Sequence, residues 1–177
     1  MELGRRVMRY EGLKPPNLPE LEGHLPQQYV AVKFYFRSSF ADTADNHAFV
    51  GQLLSDIATQ HEIVLLNTRM EFDEHTECEA AACARIHRID DLLTPANNLA
   101  VQSAVISRAQ AFFGTYGGLS YVPLCYGVPS FAFKSSNAGL NWIHLHFANE
   151  FAVKQNVPFH LFQTQDFNLI RALVRTS

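Results

Sequence analysis

Cysteine is scarce in this 177-residue chain: three residues, an odd number, with no C-x-x-C pair. That excludes a disulfide framework and points to a reducing compartment. Long apolar runs are missing too. Stretches such as Phe131-Ala132-Phe133 fall far short of the ~18 residues a membrane-spanning helix needs, so no membrane span is expected. Excess positive charge is absent: 14 Lys and Arg against 17 Asp and Glu give a net charge of −3 and a pI near 6.2. A net acidic chain without a Lys/Arg run is poorly suited to duplex nucleic acid or an anionic membrane surface. The opening MELGRRVMRYEG has basic residues with no apolar stretch behind them. No secretory signal is therefore expected, and the location predicted is cytoplasmic. G-x-G-x-x-G, the P-loop and the G-x-S-x-G elbow are all lacking, which removes the dinucleotide, ATPase and serine-hydrolase fingerprints.

What is present is a globular composition, 47% hydrophobic and 18% charged, enough to fill the core of about one domain. Residues 1–28 differ from the rest. Pro15, Pro16, Pro19 and Pro26 withhold backbone donors and bias their neighbours to extended geometry, so this stretch reads as a linker or wrapping arm. A regular pattern begins at Tyr29. YVAVKFYF reads as one strand buried on both faces, with Lys33 the exception. Thr43 or Asp45 offers a cap for a helix whose stripe is Phe49, Val50, Leu53, Leu54 and Ile57. A second strand is expected over 62–68, an exposed loop with a short helix near 77–83, and a third strand over 84–89. Thr94-Pro95 reads as a helix start with Val101, Ala104, Val105 and Ala109 at core spacing.

AFFGTYGG then reads as a strand and glycine turn, followed by a short helix over 119–126 and a strand in SFAFKS. Next come a one-sided helix carrying Trp142, Ile143, Phe147 and Phe151, a last strand in PFHLFQT and a closing helix. Strands alternating with helices imply crossover units. The fold predicted for 29–177 is α/β, a Rossmann-like three-layer αβα sandwich with a mostly parallel sheet of about six strands.

In such a sheet ligands sit beyond the carboxyl ends of the strands. The richest of these ends is Gly114-Thr115-Tyr116-Gly117-Gly118-Leu119-Ser120. Glycine between a strand and a helix admits close backbone approach, and the opening N–H groups of the helix attract phosphate; a plain tight turn would read the same way. Lys33 and Arg37 lie toward the end of the first strand, where a cation facing the glycine turn neutralises a diphosphate. Arg37 taken alone is equally a solvated surface charge. Asp90 and the backbone near it could read a base or ribose, or simply open a loop. His75, Cys78, Cys83 and His87 lack the paired short spacing of structural zinc sites, so neither metal nor cofactor is expected.

The run NLAVQSAVISRAQAFFGTYGGLSYVPLCYGVPSFAFK, residues 98–134, resembles the C-terminal, donor-binding half of GT-B glycosyltransferases, with the general plan of heptosyltransferase-like enzymes. Their glycine loop normally carries an acidic "DSG" that is absent here. The resemblance implies a nucleotide-sugar-binding domain. In it Thr115, Tyr116, Gly117, Gly118, Leu119 and Ser120 hold the diphosphate, and Arg37 with Lys33 neutralises it. Ile89 and Asp90 would line the base, and Asn137, Asn141 and His144 would face the sugar. The Glu-x7-Glu pair of retaining members is missing, which leans towards inversion. A full enzyme of this kind has two such domains, so the resemblance also implies an acceptor domain outside this chain and little turnover without it. Two other readings stand beside it. One is a stand-alone nucleotide-binding or regulatory module without catalysis; the other is an interaction domain whose glycine turn binds nothing.

Overall fold

The computed structural model describes residues 11–68, 76–78, 83–167 and 171. Among the described residues the bounded strands and α-helices follow in chain order: β1 (Val30–Lys33), β2 (Tyr35–Phe36), α1 (Ala44–Ala58), β3 (Ile63–Leu65), β4 (Thr76–Glu77), β5 (Ile86–Arg88), α2 (Asn98–Ile106), β6 (Phe112–Thr115), α3 (Val122–Cys125), β7 (Ser130–Lys134), α4 (Trp142–Gln155) and β8 (Phe159–Gln163). Six of the strands form one sheet in the order β5-β3-β1-β6-β7-β8, and every neighbouring pair in it is parallel.

Counted by position in the chain, that order is 3-2-1-4-5-6, the doubly wound arrangement. Right-handed crossovers running outward from β1 in the two directions place their helices on opposite faces. The side chains of β1 show the outcome by alternating between two clusters. Val30 and Val32 join Phe49, Val50, Leu53 and Ile57 of α1, whereas Ala31 joins Val101, Ala104 and Val105 of α2. Leu124 of α3 meets Ala148 and Ala152 of α4 in a third, smaller cluster. The architecture is thus a Rossmann-like αβα sandwich on a six-stranded sheet. No helix among the described residues is long and apolar enough to cross a membrane.

Several elements differ from what the sequence predicts, each for a tertiary reason. YVAVKFYF is not one strand. It breaks after Lys33, and β2 leaves the main sheet to pair antiparallel with β4. The hydroxyl of Thr115 takes over the ladder at that point, donating to the Tyr35 carbonyl at 2.8 Å and accepting from the Tyr35 N–H at 3.0 Å. Lys33 is no exposed exception but is buried with the rest of the strand. Glu77, expected to open a short helix, is in a strand with Thr76, and 79–82 lie outside the described residues. Thr94 does not cap α2. It braces a turn with Asn97, and the helix begins three residues later than expected.

The stretch expected as one helix over 119–126 is a 3-10 turn, Gly118–Tyr121, running into α3. That division puts Pro123 in the first turn of α3, where its missing N–H costs nothing. On α4 it is Ala148 and Ala152 that are buried, while Trp142 and Ile143 are exposed. The last strand ends at Gln163 and Thr164–Asp166 form a 3-10 turn; of the closing helix expected from Asp166, Phe167 and Arg171 are helical and the other residues beyond Asp166 lie outside the described ones. The Pro-rich stretch lies against the domain: Leu21 is 1% exposed within the α2-side cluster, and the Leu13 N–H bonds the Cys125 carbonyl at 2.6 Å.

Candidate nucleotide-binding site

In the 3-2-1-4-5-6 order the connections diverge between β1 and β6. The loops leaving their carboxyl ends separate there and open a crevice. Two cavities lie at this point, one on each side of Gly118. The larger, about 720 Å³, is lined by Arg37, Tyr116, Gly117, Tyr121, Asn141 and His144, with Phe147 and Phe151 of α4 as an apolar wall. The smaller, about 470 Å³, is lined by Lys33, Tyr35, Thr68, Glu77, Asn98 and Gln102, with Leu99, Leu119 and Val122 as its apolar part. Gly118 lines both.

The glycine turn is braced from beneath. The Ser120 hydroxyl donates to the Gly117 carbonyl at 2.7 Å and accepts from the Gly117 N–H at 3.3 Å. The Ser120 carbonyl in turn accepts from the Ser130 hydroxyl of β7 at 2.7 Å. Ser120, fully buried, is therefore consumed by the turn. The N–H groups of Gly118 and Leu119 open the 3-10 turn, where no carbonyl lies one turn behind to accept them. Gly117 must be glycine because a Cβ there would run into the Tyr35 hydroxyl, with an Arg37 guanidinium nitrogen just beyond.

Arg37 owes its place to a tight turn. The N–H and carbonyl of Arg37 exchange 2.9 Å bonds with those of Phe40. Ser39 at the tip donates to the Tyr116 carbonyl at 3.4 Å and accepts the N–H groups of Ser135 and Ser136 through its own carbonyl. This ties the Arg37 turn to the loops after β6 and β7, and the guanidinium lies beside Gly117 where both line the larger cavity. Burial raises the Tyr35 phenol above its ordinary range, and the hydrogen bond and positive charge of Arg37 hold that rise in check. Tyr35 therefore stands as a neutral hydroxyl on the wall of the smaller cavity. Burial likewise pushes the Cys125 thiol on the cavity wall up, away from the thiolate a nucleophile requires.

The remaining residues picked out in the sequence divide clearly. Thr115 serves the backbone of Tyr35, and Tyr116 is buried with its hydroxyl donating to the Asn141 carbonyl at 3.3 Å. Asn141 caps α4, its Oδ1 accepting from the N–H groups of Ile143 and His144, and both Asn141 and His144 line the larger cavity. Asn137 lines neither cavity; its Oδ1 accepts from Lys134 at 2.7 Å. Ile89 is 1% exposed inside the α2-side core, and neither it nor Asp90 lines either cavity.

Lys33 faces the smaller cavity rather than Arg37. Its ammonium donates to the Leu66 carbonyl at 2.9 Å and to the Glu77 carboxylate, so it cannot serve as an unpaired counter-charge for phosphate. Burial lowers its pKa, with the Glu77 contact acting against that shift. Tyr35, Glu77, Asn98 and Gln102 were not singled out by sequence reasoning. Their only signal is their position near strand ends or in the first turns of α2. Among the described residues no group of three or more His, Cys, Asp or Glu side chains is placed to hold a metal ion; His75 lies outside them.

No protein-family model and no curated protein matches the chain. Among solved structures it is similar to the glycosyltransferase SnogD from Streptomyces nogalater, at 14% sequence identity and a TM-score of 0.48. That similarity covers 94% of this chain and 45% of SnogD, so the chain spans less than half of that enzyme's length. A shared shape does not fix an activity. Function is therefore argued from the site.

Proposed function

We propose that the chain is the donor-nucleotide-binding domain of a glycosyltransferase, holding a nucleoside diphosphate-sugar whose sugar passes to an acceptor bound elsewhere. The observation that carries this reading is the Arg37 guanidinium set beside the Gly117 backbone on the wall of the larger cavity, at the crevice where the sheet's connections diverge. Backbone N–H groups and a fixed guanidinium form a cradle for a diphosphate, and such donors gain strength in a partly desolvated cleft. Beyond them the cavity offers Asn141 and His144 and the aromatic edge of α4, a mixed lining suited to a sugar with polar rim and apolar faces.

In the transfer itself the bond between the anomeric carbon and the diphosphate oxygen breaks as the acceptor oxygen bonds that carbon. Negative charge collects on the departing diphosphate, where Arg37 and the turn amides would stabilise it. The acceptor's proton needs a base. Among the described residues the larger cavity is lined by no carboxylate and by one imidazole, His144, so we assign the base to an acceptor domain outside this chain. Donor binding with little turnover follows for the chain alone.

Calorimetric titration with UDP, GDP, ADP and CDP and their common sugar conjugates tests the reading. One diphosphate should bind selectively and its sugar conjugate more tightly still. Arg37→Ala should weaken that diphosphate by about 10-fold, the scale of one charge-assisted hydrogen bond, while affinity for the bare nucleoside stays unchanged. A panel in which no diphosphate binds overturns the reading. If bare nucleotide and sugar conjugate bind equally, a nucleotide-binding module without sugar chemistry takes its place.

A further inference from the structure

The smaller cavity holds a set of polar groups that the diphosphate cradle does not use. Glu77 is brought in by β4, 44 residues from Lys33 in sequence. Its Oε1 accepts from the Lys33 ammonium and from the Thr68 hydroxyl at 3.1 Å, and its Oε2 accepts from the Thr68 N–H at 2.6 Å. A carboxylate has about four acceptor positions, so among the described partners one remains, on Oε2. An ammonium has three donors; the Leu66 carbonyl and Glu77 account for two of the three on Lys33.

The pair is neutral as a unit, so it gives a phosphate no net attraction. What it presents to the cavity is one acceptor beside one donor. That matches a neutral vicinal diol, one hydroxyl donating to Glu77 and its neighbour accepting from Lys33.

The opposite wall continues the match. Gln102 is 5% exposed, and its Nε2 donates to the Asn98 Oδ1. The Gln102 Oε1 and the Asn98 amide group are then left as an acceptor and a donor one helical turn apart, in a cavity also lined by the apolar side chains of Leu99, Leu119 and Val122. A planar heteroaromatic ring has apolar faces and an edge carrying donor and acceptor side by side. Because Gly118 borders both cavities, a ligand seated here leads over Gly118 towards Arg37.

We infer that the smaller cavity is a ribonucleoside subsite, in which Glu77 and Lys33 take the ribose diol and Asn98 with Gln102 meets the edge of the base. This rests on the donor-nucleotide reading and moves base recognition from Ile89 and Asp90 to α2.

The test compares UDP, ADP, GDP and CDP each with its 2′-deoxy counterpart by calorimetry. The wild-type chain should prefer the ribose form of the diphosphate it binds by about 10-fold or more, the scale of a hydrogen bond to a charged group. Glu77→Gln should shrink that preference to within about 2-fold while the Arg37-dependent part of the affinity persists. Gln102→Leu leaves the ion pair untouched and serves if Glu77→Gln does not fold; it should weaken the diphosphate without changing affinity for inorganic pyrophosphate.

Equal binding of ribose and 2′-deoxy forms by the wild type overturns the subsite and leaves the donor reading standing. Binding of no diphosphate at all overturns the donor reading itself. If Glu77→Gln instead abolishes the gain from the sugar conjugate, the cavity takes the diol of the transferred sugar and the ribose assignment is wrong.

Discussion

Gly118→Val is expected to abolish nucleoside diphosphate binding, lowering affinity by more than about 100-fold, while leaving the fold intact. The two halves of that expectation have separate causes. A Cβ built at Gly118 meets no atom within 4 Å, so a branched side chain there disturbs no packing, and a surface change of this kind costs within about 0.5 kcal/mol. Yet Gly118 is the ridge between the two cavities and supplies one of the opening N–H groups. Two methyl groups on that ridge stand where a diphosphate must approach the backbone, and they block passage from the smaller cavity to the larger. Calorimetry reads the loss, and a thermal melt unchanged within a few degrees confirms the fold. A variant that melts normally and still binds as tightly as wild type would remove the glycine turn from the site.

Gly114→Ala should act in the opposite sense, destabilising the whole domain by about 3 kcal/mol. Gly114 sits at the centre of the sheet in register with Lys33 of β1 and Ala132 of β7. A methyl group there would clash with the Lys33 carbonyl oxygen and also press on the Phe112 ring. The oxygen belongs to backbone in a paired strand, so relief requires β1 and β6 to part, and the hydrogen-bonded ladder resists that. Urea unfolding should show a lower midpoint with an unchanged slope. Because the same shift would move Lys33 and the break before β2, the variant should lose nucleotide affinity as well. A midpoint equal to wild type would mean that the β1–β6 approach is looser than described.

These two glycines, four residues apart, show what the sequence carries and what it does not. GTYGG at a strand end was legible as a strand-to-helix turn, and Arg37 as a cation near the end of the first strand, which is where the structure places them. Nothing local separates Gly114, packed against the Lys33 carbonyl, from Gly118, open to both cavities; neighbouring strands decide that. The α1 stripe of Phe49, Val50, Leu53, Leu54 and Ile57 was equally readable and is buried throughout, since a 3.6-residue period survives any tertiary context.

Long-range partners are what the sequence hides. Lys33 looks like a lone cation in an apolar run until Glu77 arrives from a stretch with no period of its own. YVAVKFYF has no residue that breaks a strand, and its break is imposed by the Thr115 side chain, 80 residues from Tyr35. On α4 the large residues suggested the buried face, but the small ones, Ala148 and Ala152, are those that admit the α3 neighbour. Asn98 and Gln102 escaped notice because amides at the start of a helix read as its solvent face.

The central claim is that one ligand straddles Gly118 with its anionic part on the Arg37 side. Amide-resolved nuclear magnetic resonance during titration with the best-binding diphosphate tests it most directly. The largest shifts should fall on the N–H groups of Gly117, Gly118 and Leu119 and on the Arg37 side chain, with Asn98, Gln102 and Glu77 moving in the same saturating titration. Saturable shifts confined to residues away from both cavities, or none at all, would contradict it.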